Sequence, residues 1–274
     1  MNRKQRLRIG AVSYLNTKPL IHGLEEQAAD LELVLDYPSR LADQLATGQL
    51  DVALIPSVEF FRGREYRIVS DACIACRGPV LSVKLYARRP AAEIRTLALD
   101  EGSRTSVALT RVLLKERFGI EPDLVHLPVE ATIDDTTADA VLLIGDRAIH
   151  SPPGRYAFVW DLGDQWCRWA ELPFVFAMWT ARPGVDVQRI EVQLAEARDR
   201  GLAHVDEIAA AEAPRLGLTE PQCVSYLRDN LYFYLGPREQ RGLQLFYDHA
   251  VKLGLAPAGV DLGSQHFQTS GQSG

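Results

Sequence analysis

The sequence predicts an α/β protein of two lobes around a central cleft, with two chain crossings between them. Three observations carry this: a β-α-β-α-β order up to Pro56, a restart of the pattern after Arg88, and a mainly helical stretch from Val187. Strands that alternate with helices imply a parallel sheet covered by those helices, because parallel neighbours need crossover connections.

Leu7-Arg8-Ile9-Gly10-Ala11-Val12 reads as the first strand, and Pro19 opens a helix near Leu20 to Gln27, with Asn16 or Thr17 as cap candidates. Leu31 to Leu35 is a second strand. Ser39 caps a helix whose Leu41, Ala42, Leu45 and Ala46 share one face before Gly48 stops it. Val52 to Ile55 is a third strand, ended by Pro56, and Val80 to Ala87 a further one that runs into Arg88-Arg89-Pro90. There the first lobe is expected to hand over to the second.

Strand Thr96 to Leu99 and an amphipathic helix from Ser103 to Phe118 restart the pattern. It continues through Leu124 to Leu127, the buried-type strand Ala140 to Ile144, Tyr156 to Trp160, and a return strand Pro173 to Thr180. With a crossing back near Arg182-Pro183, residues 1–88 and 182–274 form the first lobe and 89–181 the second. The C-terminal part carries a long helix from Val187 to about Ala211, one opened by Thr219 and Pro221, and one from Pro237 to Leu253. Gly263 to Gly274 reads as a polar tail.

A chain of 274 residues is long enough for a substantial core, and 47% hydrophobic with 24% charged residues is ordinary globular composition. Thirty Lys and Arg against 36 Asp and Glu give a net charge of -6, which argues against nucleic acid or an anionic membrane as the main partner. Any anion must be bound locally. No apolar run approaches the ~20 residues of a membrane span. Leu7 to Val12 is too short for a signal-peptide core and is followed by polar Ser13, Asn16 and Lys18, so a cytoplasmic location is expected. Four cysteines do not make a disulfide framework, in keeping with a reducing compartment.

Ligands in such sheets bind beyond the carboxyl ends of the strands, so the loops there are the places to look. The first is Ser13-Tyr14-Leu15-Asn16-Thr17-Lys18-Pro19, rich in hydrogen-bonding groups at a helix start, which suits a carboxylate; simple capping by Asn16 or Thr17 explains it equally well. Pro56-Ser57-Val58-Glu59 reaches the same edge with the same ambiguity. Ser82, between Leu81 and Val83 on a strand, faces solvent or the cleft, and solvent is the simpler reading.

Asp100-Glu101-Gly102-Ser103-Arg104-Thr105-Ser106 opens the best helix of the second lobe, a second anion-ready start unless Ser103 is a plain cap. One such start in each lobe suits a ligand with two acidic groups. Gly145, in Ile144-Gly145-Asp146, allows close backbone approach. Cys73 and Cys76 have redox or metal spacing, but no second Cys-x-x-Cys or compact histidine cluster accompanies them, so a structural pair of thiols is expected. No P-loop, G-x-G-x-x-G or G-x-S-x-G is present. The aromatic stretch from Asp161 to Trp179 reads mainly as core, with one aromatic available to cover the cleft.

Together these segments resemble the chorismate dehydratase family of the futalosine route to menaquinone, which has the type II periplasmic-binding-protein fold. The carrying residues are Arg8 to Leu20, Leu54 to Glu59, Ser82-Val83, Asp100 with Ser103 and Thr105-Ser106, Ile144-Gly145-Asp146, and Leu172 to Ala177. The likeness runs from about residue 8 to 255; the Cys73/Cys76 pair and the tail depart from it. It implies loss of water from chorismate to give 3-[(1-carboxyvinyl)oxy]benzoate, without metal or organic cofactor.

Chorismate carries two carboxylates, and its aromatisation asks the enzyme mainly to hold, orient and dry it. By motif match the resemblance puts the catalytic pair on Asn16 and Ser82. They would hydrogen-bond the leaving hydroxyl and orient the enolpyruvyl carboxylate, itself the candidate proton acceptor. Ser57, Thr105, Ser106 and Gly145 are expected to bind substrate. The rival readings are a non-catalytic small-anion-binding protein, a ligand-sensing domain and the sister cyclase of the same pathway. Fold alone does not separate them.

Overall fold

The computed structural model of the protein describes residues 6–27, 30–150 and 154–263. The polar tail expected after Gly263 lies outside these residues. Along the chain, β1 (Leu7–Val12), a 3₁₀ segment (Leu15–Ile21) and α1 (Leu24–Gln27) lead to β2 (Leu31–Asp36), α2 (Pro38–Ala46) and β3 (Val52–Pro56). Next come α3 (Ser57–Arg62), β4 (Arg67–Cys76), β5 (Val83–Ala87), β6 (Thr96–Asp100), α4 (Arg104–Phe118), β7 (Asp123–Leu127) and β8 (Ala140–Ile144). Then follow α5 (Asp146–Ile149), β9 (Phe158–Asp161), α6 (Leu162–Ala170) and β10 (Phe174–Ala181). The C-terminal part is α7 (Gln188–Ala203), α8 (Val205–Leu216), α9 (Glu220–Ser225), a π-helical turn (Tyr226–Asn230), β11 (Tyr232–Tyr234) and α10 (Pro237–Lys252).

Two sheets result: six strands in the order β11-β4-β10-β3-β1-β2, and five in the order β7-β6-β8-β5-β9. β1 is parallel to both β2 and β3, as the alternating pattern requires, while β10 runs antiparallel between β3 and β4. In the smaller sheet β6 is parallel to β7 and β8, and β5 is antiparallel to β8 and β9. Both sheets are therefore mixed, where the sequence reading expected a parallel one.

The pairing also moves two strands. Val83–Ala87, read as the last strand of the first lobe, pairs inside the five-stranded sheet, and Phe174–Ala181, read as part of the second lobe, pairs inside the six-stranded sheet. The chain thus passes between sheets around residues 77–82 and 162–173, ahead of Arg88 and Arg182. Both strands are buried along their whole length, so no alternation marks which sheet they join.

Local chemistry explains the helices. Pro38 occupies the first turn of α2, where its missing N–H costs nothing, and Leu41, Ala42 and Leu45 are buried beneath it. α4 starts at Ser103, whose side chain accepts the N–H of Ser106, and stops at Gly119 with φ +71°. Thr219 and Gln222 cap α9 reciprocally. The long helix expected to Ala211 is two helices, α7 and α8, which meet at His204. One apolar cluster runs through both sheets, and a smaller one around Tyr86 and Val141 lies in the second lobe. Arg198 of α7 and Asp71 of β4 form an ion pair inside this core.

Candidate active site

Where the two sheets face each other lies a narrow crevice. Tyr14, Asn16 and Phe176 line it from the six-stranded side, and Ser82, Ser106 and Gly145 from the other. It sits beyond the carboxyl ends of β1, β3 and β8, where α/β sheets bind ligands. Among the described residues that line it there is no Asp, Glu, Lys or His. Its polar side chains are the Tyr14 phenol, the Asn16 amide and the hydroxyls of Ser82, Ser103 and Ser106.

The loop after β1 does not form the α-helix start expected from sequence. Leu15–Ile21 is a 3₁₀ segment, and neither Asn16 nor Thr17 caps it. Asn16 Oδ1 accepts instead from Thr17 Oγ1 at 3.2 Å. The Asn16 oxygen is thus engaged by Thr17 rather than by a helix N–H.

Ser82 is not a solvent-facing strand residue: it is 2% exposed and lines the crevice. Its N–H donates to the Val80 carbonyl at 2.7 Å across Leu81, whose φ is +61°. A three-residue turn with a branched side chain at positive φ is strained and persists only when its surroundings enforce it. Asp161 does so. Its carboxylate accepts the N–H groups of Val80 at 2.9 Å and Leu81 at 2.7 Å, and also caps α6 through Asp164 N–H at 3.1 Å. Burial pushes the Asp161 carboxyl up, opposed by these N–H donors. On the far side, the Ser82 carbonyl accepts from Gly145 N–H at 2.9 Å. Ser82 Oγ itself reaches only the Val80 carbonyl, at 3.4 Å.

Gly145 has φ +73° and ψ -159°, a region open essentially to glycine alone. The Tyr14 ring packs on it so closely that a Cβ would lie 2.6 Å from Tyr14 Cζ. Burial, with Asp100 nearby, pushes the Tyr14 phenol up, so it stays a neutral donor. Behind it, buried Asp100 accepts from Gly102 N–H at 2.9 Å and Ile144 N–H at 3.1 Å and pairs with Arg147. Burial raises the Asp100 carboxyl; Arg147 opposes the rise.

Ser103 both caps α4 and lines the crevice, and its hydroxyl lies 3.0 Å from that of Ser106. The N-terminus of α4 thus presents two hydroxyls and a partial positive charge to an anion. Ser57 and Thr105 are not at the crevice wall. The Ser57 hydroxyl donates to the Val175 carbonyl at 2.8 Å, and Thr105 Oγ1 lies 3.3 Å from it and accepts from Val58 N–H at 3.1 Å. They join α3 to α4 rather than facing a ligand, because both are fully buried at the helix starts.

Sequence reasoning missed Tyr14 and Asp161 as site groups. The capping spacing of Asp161 before α6 is a usable signal for the second. Cys73 and Cys76 are buried free thiols on one strand, and the neighbour that shifts Cys76 is Cys167 of α6. Among the described residues no group of three His, Cys, Asp or Glu is placed to hold a metal ion.

A family profile described as menaquinone biosynthesis matches residues 7–252. The chain belongs to this menaquinone-biosynthesis family. One relative in it, the chorismate dehydratase of Thermus thermophilus, is 32% identical over 268 residues, covering 91% of this chain and 96% of the relative. Family membership agrees with the fold. A structural-genomics protein of Archaeoglobus fulgidus superposes with a TM-score of 0.71 at 17% identity, over 93% of this chain and all of the other. The periplasmic aliphatic sulphonate binding protein of Escherichia coli superposes with a TM-score of 0.61 at 17% identity, over 98% and 94%. The type II binding-protein architecture expected from the resemblance is thus the observed one.

Proposed function

We propose that the protein removes water from chorismate to give 3-[(1-carboxyvinyl)oxy]benzoate, on the futalosine route to menaquinone and in the cytoplasm. One observation carries the reading: in a menaquinone-biosynthesis chain similar to a chorismate dehydratase, the described residues of the crevice offer amide, hydroxyl and phenol groups and no charged side chain. A reaction that needs a strong protein base is poorly served there. A substrate that brings its own carboxylate is well served.

The ring carboxylate faces the hydroxyls of Ser103 and Ser106 at the start of α4. Asn16 and Ser82 hold the leaving hydroxyl and orient the enolpyruvyl carboxylate. That carboxylate takes the proton from the ether-bearing ring carbon, the C–H electron pair forms the new ring double bond as the neighbouring C–O bond breaks, and the departing hydroxide takes the same proton from the carboxylic acid to leave as water, restoring the carboxylate. Aromatisation drives the step, and the buried walls keep bulk water out. Gly145 gives close backbone approach, while Ser57 and Thr105 serve as the clamp between α3 and α4. No metal or organic cofactor takes part in this proposal.

The test is to incubate the pure protein with chorismate, without added metal, and follow the carboxyvinyloxy-benzoate by mass. Formation of that product at a rate proportional to enzyme is the expected result. Chorismate bound but unchanged would instead support the anion-binding reading, to which the fold also lends itself.

A further inference from the structure

Building on the dehydration proposed above, we infer that Tyr226 is a positioning residue for Asn16 and Ser82: its buried hydroxyl lies against both side chains and sets how they present to substrate. Tyr226 is 1% exposed and belongs to the main core cluster, and its hydroxyl has no well-aligned hydrogen bond among the described residues, although the side chains of Ser82 and Asn16 lie beside it. Burial pushes the phenol up; Ser82 and Asn16 beside it oppose the rise, and the nearby carboxylates of Asp146 and Asp161 add to it. The balance keeps the phenol protonated.

Three features make this more than a packing accident. First, the two neighbours are lightly engaged: apart from Tyr226, among the described residues Asn16 contacts Thr17 through its oxygen and Ser82 Oγ makes one long contact at 3.4 Å. Second, the backbone at Tyr226 is a π-helical turn that follows directly on the reciprocally capped α9. Such wide turns cost helical hydrogen-bond geometry and occur mostly where a side chain must be re-aimed. Third, a buried hydroxyl without a partner is unfavourable, and phenylalanine would fill the same space without that penalty. A phenol has one proton to give and lone pairs to accept with, so it can fix the Asn16 amide and the Ser82 rotor together.

The test compares parent, Tyr226→Phe, Ser82→Ala and the double variant for kcat and KM on chorismate and for melting temperature. Tyr226→Phe is expected to lose about tenfold or more in kcat, with KM within about threefold and an unchanged or raised melting temperature. In the Ser82→Ala background the same change is expected to cost much less, because the two side chains act as one unit. Parent-like kcat in Tyr226→Phe, equal losses in both backgrounds, or a melting temperature well below the parent's would each overturn the role. A parent that leaves chorismate unchanged would overturn the dehydration reading itself, and the Tyr226 role with it.

Discussion

The carboxylate of Asp146, at the start of α5, accepts the backbone N–H of Leu15 at 3.1 Å, which fastens the first loop of one lobe to a strand end of the other. Burial raises its carboxyl from 3.8 to about 6; the Leu15 N–H opposes this, Glu212 adds to it and Lys18 opposes it. The latch therefore has a pH dependence of definite sign. Because the folded state holds this proton more tightly than the unfolded state, Asp146 favours folding below about pH 4. That contribution is lost as pH rises through about 6, to the extent of roughly 2–3 kcal/mol before allowing for solvent screening. Asp146→Asn keeps an acceptor for Leu15 and removes the charge. Its melting temperature is expected to exceed the parent's at pH 8 and to match it near pH 4; a constant difference across that range would refute the assignment.

Asn16 and Ser82 are expected to act on the rate more than on the fold. Losing one donor aimed at the reacting group costs about 3 kcal/mol of barrier, a fall of about 10²-fold in kcat. Ser82→Ala removes a long contact to Val80 and the contact with the Tyr226 hydroxyl, neither of them a strong hydrogen bond, so its urea midpoint is expected to stay near the parent's. Steady-state kinetics of Asn16→Ala and Ser82→Ala on chorismate check this, and parent-like turnover in either would remove that residue from the mechanism.

The mixed α/β order and the positions of Asn16, Ser82, Ser106 and Gly145 at the crevice wall were legible in the sequence, because strand ends and loops are punctuated by Pro, Gly and hydroxyl residues, whereas the sheet membership of Val83–Ala87 and Phe174–Ala181 was not. β4 was not legible. Arg67 to Cys76 contains Ser70, Asp71 and two cysteines and is buried on both faces beyond Arg67, so it shows neither a continuous aliphatic run nor alternation. Ser57 and Thr105 misled for a different reason: a hydroxyl at a helix start reads the same whether it faces a ligand or another helix.

Asp161 holds the turn that presents Ser82, so its neutral isostere tests that link. Asp161→Asn keeps one acceptor oxygen but sets an amide N–H against the N–H of Val80 or Leu81, each of which now donates to a carboxylate oxygen. Loss of about 1–3 kcal/mol of stability is expected from the unpaired buried donor. Release of the positive φ at Leu81 is expected to lower kcat as well, although Asp161 does not line the crevice. Urea unfolding together with turnover measures both, and a variant that loses stability yet keeps full kcat would show that the turn survives without the carboxylate.

Gly145 gives the sharpest steric prediction. In Gly145→Ala the new methyl carbon meets the Tyr14 ring 2.6–2.8 Å away, and the backbone would have to keep φ +73° and ψ -159° with a side chain attached. The conformational penalty alone is about 1–3 kcal/mol. Tyr14 belongs to the opposite lobe, so the contact is relieved most cheaply by parting the lobes, which also lengthens the Asp146–Leu15 latch. The expected outcome is a raised KM for chorismate and a larger radius of gyration in solution scattering, with a modest drop in melting temperature. A variant that scatters like the parent and binds chorismate equally well would show that the Tyr14–Gly145 contact does not set the closure of the crevice.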